Sequence, residues 1–369
     1  MMRRGVSRGV GRESGVSAPR RISRRSRQPQ QGGRMRAARF VISLDLELFW
    51  GVRDHRRLED YRVELLGVRR AVPAMLKLFE EYGVMATWAT VGMLFCESRD
   101  ELLASLPRRI PAYRDASLSP YPHIASIGRD EVEDPFHFGL SLVRLIEASP
   151  GQEIASHTFS HYYCCEPGQG PAEFEADLEA AVAVAGRRGL RLRSLVFPRN
   201  QMRRDYLEIC RRLGLEVYRG NPPGWLYRAH DRAQNTGMRR VARLIDSVAP
   251  LTGARCVSEG SPLARQPVDV PATRFFRPLA TRSAWLARRQ RVRICREIDE
   301  AVRRGGIYHL WWHPHNFGVG LEAHLSELQY ILEHMARWRD AGQLVTATMA
   351  EAARQGISDQ EGPWASAAW

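Results

Sequence analysis

The run Arg39-Phe40-Val41-Ile42-Ser43-Leu44-Asp45 is apolar almost throughout and ends on a carboxylate. A strand apolar on both faces must be covered on both faces, which is the habit of parallel sheets. The same kind of run recurs at Val84-Met85-Ala86-Thr87-Trp88, at Gln152-Glu153-Ile154-Ala155, over 192–197 and 215–218, at Ile307-Tyr308-His309-Leu310-Trp311-Trp312, and briefly at Leu344-Val345-Thr346. Helical stripes alternate with these runs. Val68, Val72, Met75, Leu76 and Phe79 mark a helix over 68–82 that Gly83 stops. Pro171 opens an Ala/Glu-rich helix, a basic helix covers 285–304, and Leu321, Leu325, Leu328, Leu332 and Met335 stripe another. Thr348 and Glu351 predict a capping box for the last helix. Residues 97–135 read as an irregular lid or insertion, and 219–283 yields one helix near 238–248. Alternation of this kind means a mostly parallel sheet with helices outside it, open or closed into a barrel.

Charge divides the chain. Residues 1–38 hold eleven arginines against Glu13, a net of +10 out of the chain's +14. This stretch has almost no apolar residues, so it cannot offset the entropy of ordering and is expected to be a disordered basic tail. It is read as a solvated extension, or as the product of a start placed ahead of Met35, rather than as an arm for nucleic acid. The folded part is then expected over 39–356, with a frayed C-terminal tail at 357–369. The body carries only +4, which does not suit nucleic-acid binding. No secretion signal and no run of about 18 apolar residues is present, so a cytoplasmic protein with at most peripheral membrane contact is expected. The six cysteines show no Cys-x-x-Cys spacing and fit a reducing compartment.

Residues that can carry chemistry gather where the strands end. Asp45 and Glu47 follow the first strand, His157 and His161 the third, Pro198 and Arg199 the fourth, and His313 and His315 the Trp-Trp strand. Convergence of this kind is the geometry of a catalytic face. The spacing of His157 and His161 predicts a helical turn with both rings on one side, within reach of one metal ion. Two histidines and a carboxylate leave an open position on a tetrahedral ion. Zinc suits that set, and cobalt, manganese and iron are compatible with it. Such an ion activates water and polarises a carbonyl.

Asp45-Leu46-Glu47, His157-Thr158-Phe159-Ser160-His161, Phe197-Pro198-Arg199 and His313 resemble the ordered motifs of the polysaccharide deacetylase family, the NodB-homology or carbohydrate esterase 4 group, over roughly residues 39–355. The resemblance implies an α/β fold, a deformed (β/α) barrel, a divalent metal, and removal of acetyl groups from N-acetylated sugars. The family's first motif is usually two adjacent aspartates. The spaced pair here resembles a variant branch, which implies Asp45 as base and Glu47 as metal ligand beside His157 and His161. It also implies Arg199 as the residue that orients the base and His313 as the acid, with His315 as its rival. The third motif departs from the usual Arg-x-Pro, since Pro198 precedes Arg199. Trp225, Trp312, His315 and His137 are expected to contact substrate: an N-acetylated sugar, a nucleotide sugar or a lipid-linked glycan. Hydrolysis of another amide, such as a cyclic ureide, is the rival activity. A carbohydrate binder without catalysis is the rival class, though a mere binder has no need of Asp45. His309 is expected to pack in the core.

Overall fold

The computed structural model describes residues 36–222, 224–231, 234, 237–249 and 267–358, and everything below concerns these. The basic stretch up to residue 35 and the C-terminal residues from 359 lie outside them. In chain order the main elements are β1 (Ala38–Leu46), α1 (Leu58–Glu81), β2 (Ala86–Thr90), α2 (Arg99–Ala104), α3 (Leu140–Glu147), β3 (Gln152–Ser156), α4 (Pro171–Arg187), β4 (Ser194–Val196), α5 (Leu207–Arg212), β5 (Val217–Arg219), α6 (Gly237–Val248), β6 (Val268–Asp269), β7 (Arg274–Phe275), α7 (Ala284–Arg304), β8 (Ile307–Trp312), α8 (Leu321–Asp340), β9 (Leu344–Ala347) and α9 (Met349–Ser358). Among the described residues no helix is long and apolar enough to cross a membrane.

All strand pairings are parallel, in the order β6-β5-β4-β3-β2-β1-β8-β7, and β9 also pairs with β1. A single extended segment joins the two ends of that path. Its first half, β6, ladders onto β5, and its second half, β7, onto β8. Between them Val270 N–H donates to Tyr218 O at 2.9 Å, Ala272 N–H to Gly220 O at 2.9 Å, and Thr273 N–H to His309 O at 2.8 Å. The chain changes partner between Ala272 and Thr273, just after Pro271, which has no N–H to place. The sheet thus closes into a deformed barrel. This closure fell in the stretch that sequence periodicity left unread, because each half is only two residues long.

Alternation along the strands sorts the layers. Phe40, Ile42 and Leu44 of β1 face the helices, while Val41, Ser43 and Asp45 face the barrel interior. The interior is lined by small side chains, Val41, Ala89, Ala155, Val196, Val217 and Val268. Met349, Ala352 and Ala353 of α9 plug its amino-terminal end. Met349 N–H donates to Thr87 Oγ1 at 2.8 Å, and the Thr348–Glu351 capping box forms as the sequence predicts, at 2.9 and 3.2 Å. With that end shut, the carboxyl ends of the strands form the open face. Helix α1 begins ten residues earlier than its apolar stripe suggests, because its first turns carry charge and bury only Leu65 and Gly67 ahead of Val68.

Candidate metal and catalytic centre

β1 delivers two carboxylates to the open face. Asp45 lies within the strand, and Glu47 stands just past it at φ −129°, ψ −16°, ahead of a tight turn over Leu48–Gly51. The turn is held from the segment just ahead of α3: Phe49 N–H donates to Phe136 O at 3.1 Å, and Trp50 Nε1 to His137 O at 2.8 Å. Gly51 lies against the Glu47 carboxylate, and a Cβ there would stand 2.0 Å from Glu47 Cδ.

His157 and His161 reach the same place from the loop after β3, but no helical turn forms. Thr158 and His161 take positive φ, 61° and 58°, and Tyr162 N–H bonds the Thr158 hydroxyl at 2.8 Å. The loop is pinned from two sides. Gly92 and Met93 donate N–H to the carbonyls of Thr158 and Phe159. Asp177 of α4 accepts from Phe159 N–H at 2.7 Å and from Ser160 N–H and Oγ. Burial pushes the Asp177 carboxyl up to about 6 against these donors. Nothing in the His-x-x-x-His spacing pointed to Asp177, because it acts from 16 residues downstream of the pair.

Glu47 Oε2 stands 3.5 Å from His157 Nε2 and 3.2 Å from His161 Nε2, all of them buried. Ligand atoms about 2.0–2.1 Å from a tetrahedral ion lie about 3.3–3.4 Å apart, so the spacing fits one. The tautomer of His157 fits as well. Its Nδ1 lies 2.9 Å from Val196 O, a carbonyl that can only accept, so Nε2 carries a bare lone pair. That Nε2 is buried without a hydrogen-bond partner. Burial pulls His161 down to about 4 despite the opposing pull of Glu47, so its ring is neutral, the form that binds metal. Glu47 is held well below the usual carboxylate range: burial opposes ionisation, but the surrounding histidines outweigh it.

Asp45 has a different partner. Arg219, the last residue of β5, grips it through two hydrogen bonds of 2.7 Å each. Arg219 also donates to Ser43 Oγ at 3.0 Å and Asn200 Oδ1 at 3.1 Å, and lies over the Trp311 ring at 4.2 Å. His309 extends this chain inward. Its Nδ1 donates to Val270 O at 3.0 Å, so its Nε2 accepts from Ser43 Oγ at 2.8 Å. Burial together with Arg219 pushes His309 down to about 3. Burial raises Asp45, but Arg219, together with His157 and His313, more than compensates and lowers it.

The other sequence candidates fall as follows. Arg199 does not touch Asp45. It pairs with buried Asp54, stacks over Tyr163 at 4.7 Å and has φ 53°. The arginine on Asp45 comes one strand later, after a short strand that carries no motif. His313 Nε2 lies 3.8 Å from Asp45 Oδ2 and 3.7 Å from Glu47 Oε1. His315 stacks beneath His313 and against Tyr61, and burial pulls it down to about 3. Trp312 points away from the site into the helix layer, against Phe79, Phe276 and Phe317, and Trp311 takes the inward position. His137 is engaged by Asp134 at 2.7 Å and His123 at 2.9 Å and supports the Glu47 turn instead of reaching the mouth. Trp225 opens a short 3-10 turn, Trp225–Tyr227, and its side chain lies outside what is described.

The fold and these side chains define a deformed (β/α) barrel with a histidine–carboxylate centre at its mouth. Among solved structures it is similar to a Mycobacterium smegmatis protein described as a polysaccharide deacetylase, at TM-score 0.55 and 12% identity over 90% of this chain and 94% of that one. It is also similar to PuuE allantoinase, at TM-score 0.52 and 11% identity over 87% and 91%. A protein of Pseudomonas aeruginosa PAO1 described as a polysaccharide deacetylase aligns at TM-score 0.50 and 13% identity over 89% and 93%. No protein-family model and no curated protein matches the chain.

Two outcomes follow from this geometry. Gly51→Ala forces Glu47 off its position, so metal retained after dialysis, measured by elemental analysis, falls well below that of the wild type. Unchanged metal content would mean that the turn has slack. The second concerns Asp54, which burial raises but His55 and Arg199 hold down at about 2, against an ordinary 3.8. Its ionised form therefore stabilises the fold above pH 3.8, and that contribution is lost as pH falls through about 2. Arg199→Gln should cost about 1 kcal/mol at pH 7 by urea unfolding, a deficit that shrinks below about pH 4. A deficit independent of pH would show that Arg199 acts through packing alone.

Proposed function

We propose that the chain is a metal-dependent hydrolase that removes an N-acyl group from an amino sugar. The observation that carries this reading is the juxtaposition of two different carboxylates at one mouth. Glu47 faces the Nε2 atoms of His157 and His161, while Asp45 is locked onto an arginine. A protein that only bound sugar would have no use for a second buried carboxylate held ionised 3.8 Å from an imidazole.

In this reading Glu47, His157 and His161 hold a divalent ion, zinc in first place for a set of two imidazoles and one carboxylate. The ion supplies Lewis-acid polarisation of the acyl carbonyl and a water of lowered pKa. Asp45 is the general base: it receives the proton of the attacking water, and Arg219 fixes its carboxylate and favours its charged form. Ser43 and His309 hold Arg219 from the barrel interior. His313 stands across the mouth with its side chain 22% exposed, where it can pass a proton to the departing amine. Buried His315 sets the plane of His313 from beneath.

The test pairs two isosteric variants with an assay of acetate release from N-acetylated sugars. Asp45→Asn should keep its metal and lose about 10²–10⁴-fold in rate. Glu47→Gln should lose metal affinity and recover part of its activity when metal is added. The reverse pattern would exchange the two roles. Turnover of allantoin in place of N-acetylated sugars would replace the substrate class by a cyclic ureide and leave the site assignment standing.

A further inference from the structure

Beside the catalytic mouth lies a cleft with a cavity volume of about 60 Å³ that opens to solvent. Its described lining holds five arginines, Arg199, Arg228, Arg243, Arg274 and Arg277, and no carboxylate. Two of the five are neutralised from behind. Asp54 pairs with Arg199, and Glu297 takes Arg274 through two bonds of 2.6 Å. Neither Arg228 nor Arg277 is in ion-pair contact with a carboxylate among the described residues, Asp246 acting on Arg277 only from farther off, and the buried Nε of Arg277 has no hydrogen-bond partner.

Arg277 is also held firmly in place. Gln290 of α7, itself buried, clamps its backbone at both ends: Arg277 N–H donates to Gln290 Oε1 at 3.1 Å, and Gln290 Nε2 donates to Arg277 O at 3.0 Å. Burial lowers its pKa, helped by the neighbouring Arg243 and Arg274 and opposed by Tyr227 and Asp246. A half-buried guanidinium fixed among others of its sign, with no carboxylate in contact, is only partly compensated. A bound anion would complete that compensation.

The cleft is continuous with the reacting groups. Trp311 and Phe275 form part of its wall, and each ring lies 5.6 Å from His313. Asn200, also in the wall, bonds the arginine that grips Asp45. A group seated in the cleft would therefore belong to the molecule whose acyl bond lies at the mouth.

We propose that this cleft is an anion subsite and that the acylated amino sugar carries a phosphate ester there, as a sugar phosphate or a nucleoside diphosphate sugar does. The proposal rests on reading the mouth as an N-deacylation site. Phosphate is favoured over a single carboxylate because several guanidinium groups line one cleft, with Arg228 and Arg277 both outside any ion-pair contact, which matches a group of more than one negative charge and several acceptor oxygens. The aromatic wall gives the sugar ring a face to lie on.

The test measures binding and catalysis separately. Metal is first stripped from the full-length protein, so that an ion at Glu47 cannot itself hold phosphate. Inorganic pyrophosphate is then titrated calorimetrically into the wild type and into Arg277→Gln and Arg228→Gln, which lie on different segments. The expected result is saturable binding that weakens at least tenfold in each variant and falls with added salt. No binding to the wild type, or unchanged binding in both variants, overturns the proposal. Glucuronate binding as tightly as pyrophosphate would also overturn it, in favour of a carboxylate-bearing sugar. If pyrophosphate binds as expected but the metal-loaded enzyme releases no acetate from any N-acetylated sugar, neutral or phosphorylated, the deacylation reading fails and the anion subsite stands.

Discussion

The bidentate bond between Asp45 and Arg219 sits at the centre of the barrel mouth, and much around it is arranged to keep it there. An ion pair so deeply buried contributes little net stability, because desolvating both charges offsets their attraction. Removing one partner, however, strands a buried charge at a cost of about 3–5 kcal/mol. The pair is therefore better understood as a positional device. It binds β1 to β5 across the interior, and Ser43 and His309 continue the contact to β8 and to the segment that closes the barrel. The small residues of the lower interior give way to this polar column at the open end. One carboxylate is thereby kept charged and bonded to arginine, while the other stands against His157 and His161.

The second constraint is backbone strain. Among the described residues five non-glycine positions have positive φ: Leu48, Thr158, His161, Arg199 and Asn200. All five lie in the three loops that follow β1, β3 and β4 at the open face. Such conformations cost of order 1–3 kcal/mol each and persist only where the surroundings over-determine them. Here the surroundings are visible: Phe136 and His137 beneath the Glu47 turn, Asp177 and the Gly92 turn beneath the histidine loop, and Asp54 against Arg199. The loops that carry the site are held by buried polar contacts from other elements, not by local propensity.

That distinction explains what could be read from the sequence. The alternating layers, the last helix's capping box and the strand-end clustering of Asp45, Glu47, His157, His161 and His313 were all legible, because each is a local pattern of period or spacing. The helical turn expected for His157 and His161 was wrong in form yet right in consequence. A strained loop brings the same two rings to within 5.1 Å of each other. Arg219, Asp177 and Ser43 were missed because they act across the barrel, and no spacing rule links residue 45 to residue 219. Trp311 was within reach: counting back by two from His313 along β8 places it, and not Trp312, on the inner face. Arg199 stood at a strand end like the others, but positive φ turns it toward Asp54 and away from the base.

The central claim is that Glu47, His157 and His161 form one metal centre from which Asp45 is excluded. Elemental analysis of the purified full-length protein, with a His157→Ala/His161→Ala double variant purified alongside, tests it most directly. The account predicts one equivalent of a divalent metal per chain in the wild type and close to none in the double variant, with far-ultraviolet circular dichroism unchanged. An equivalent of metal persisting in the double variant, or a wild type that holds none after exposure to zinc, would contradict it.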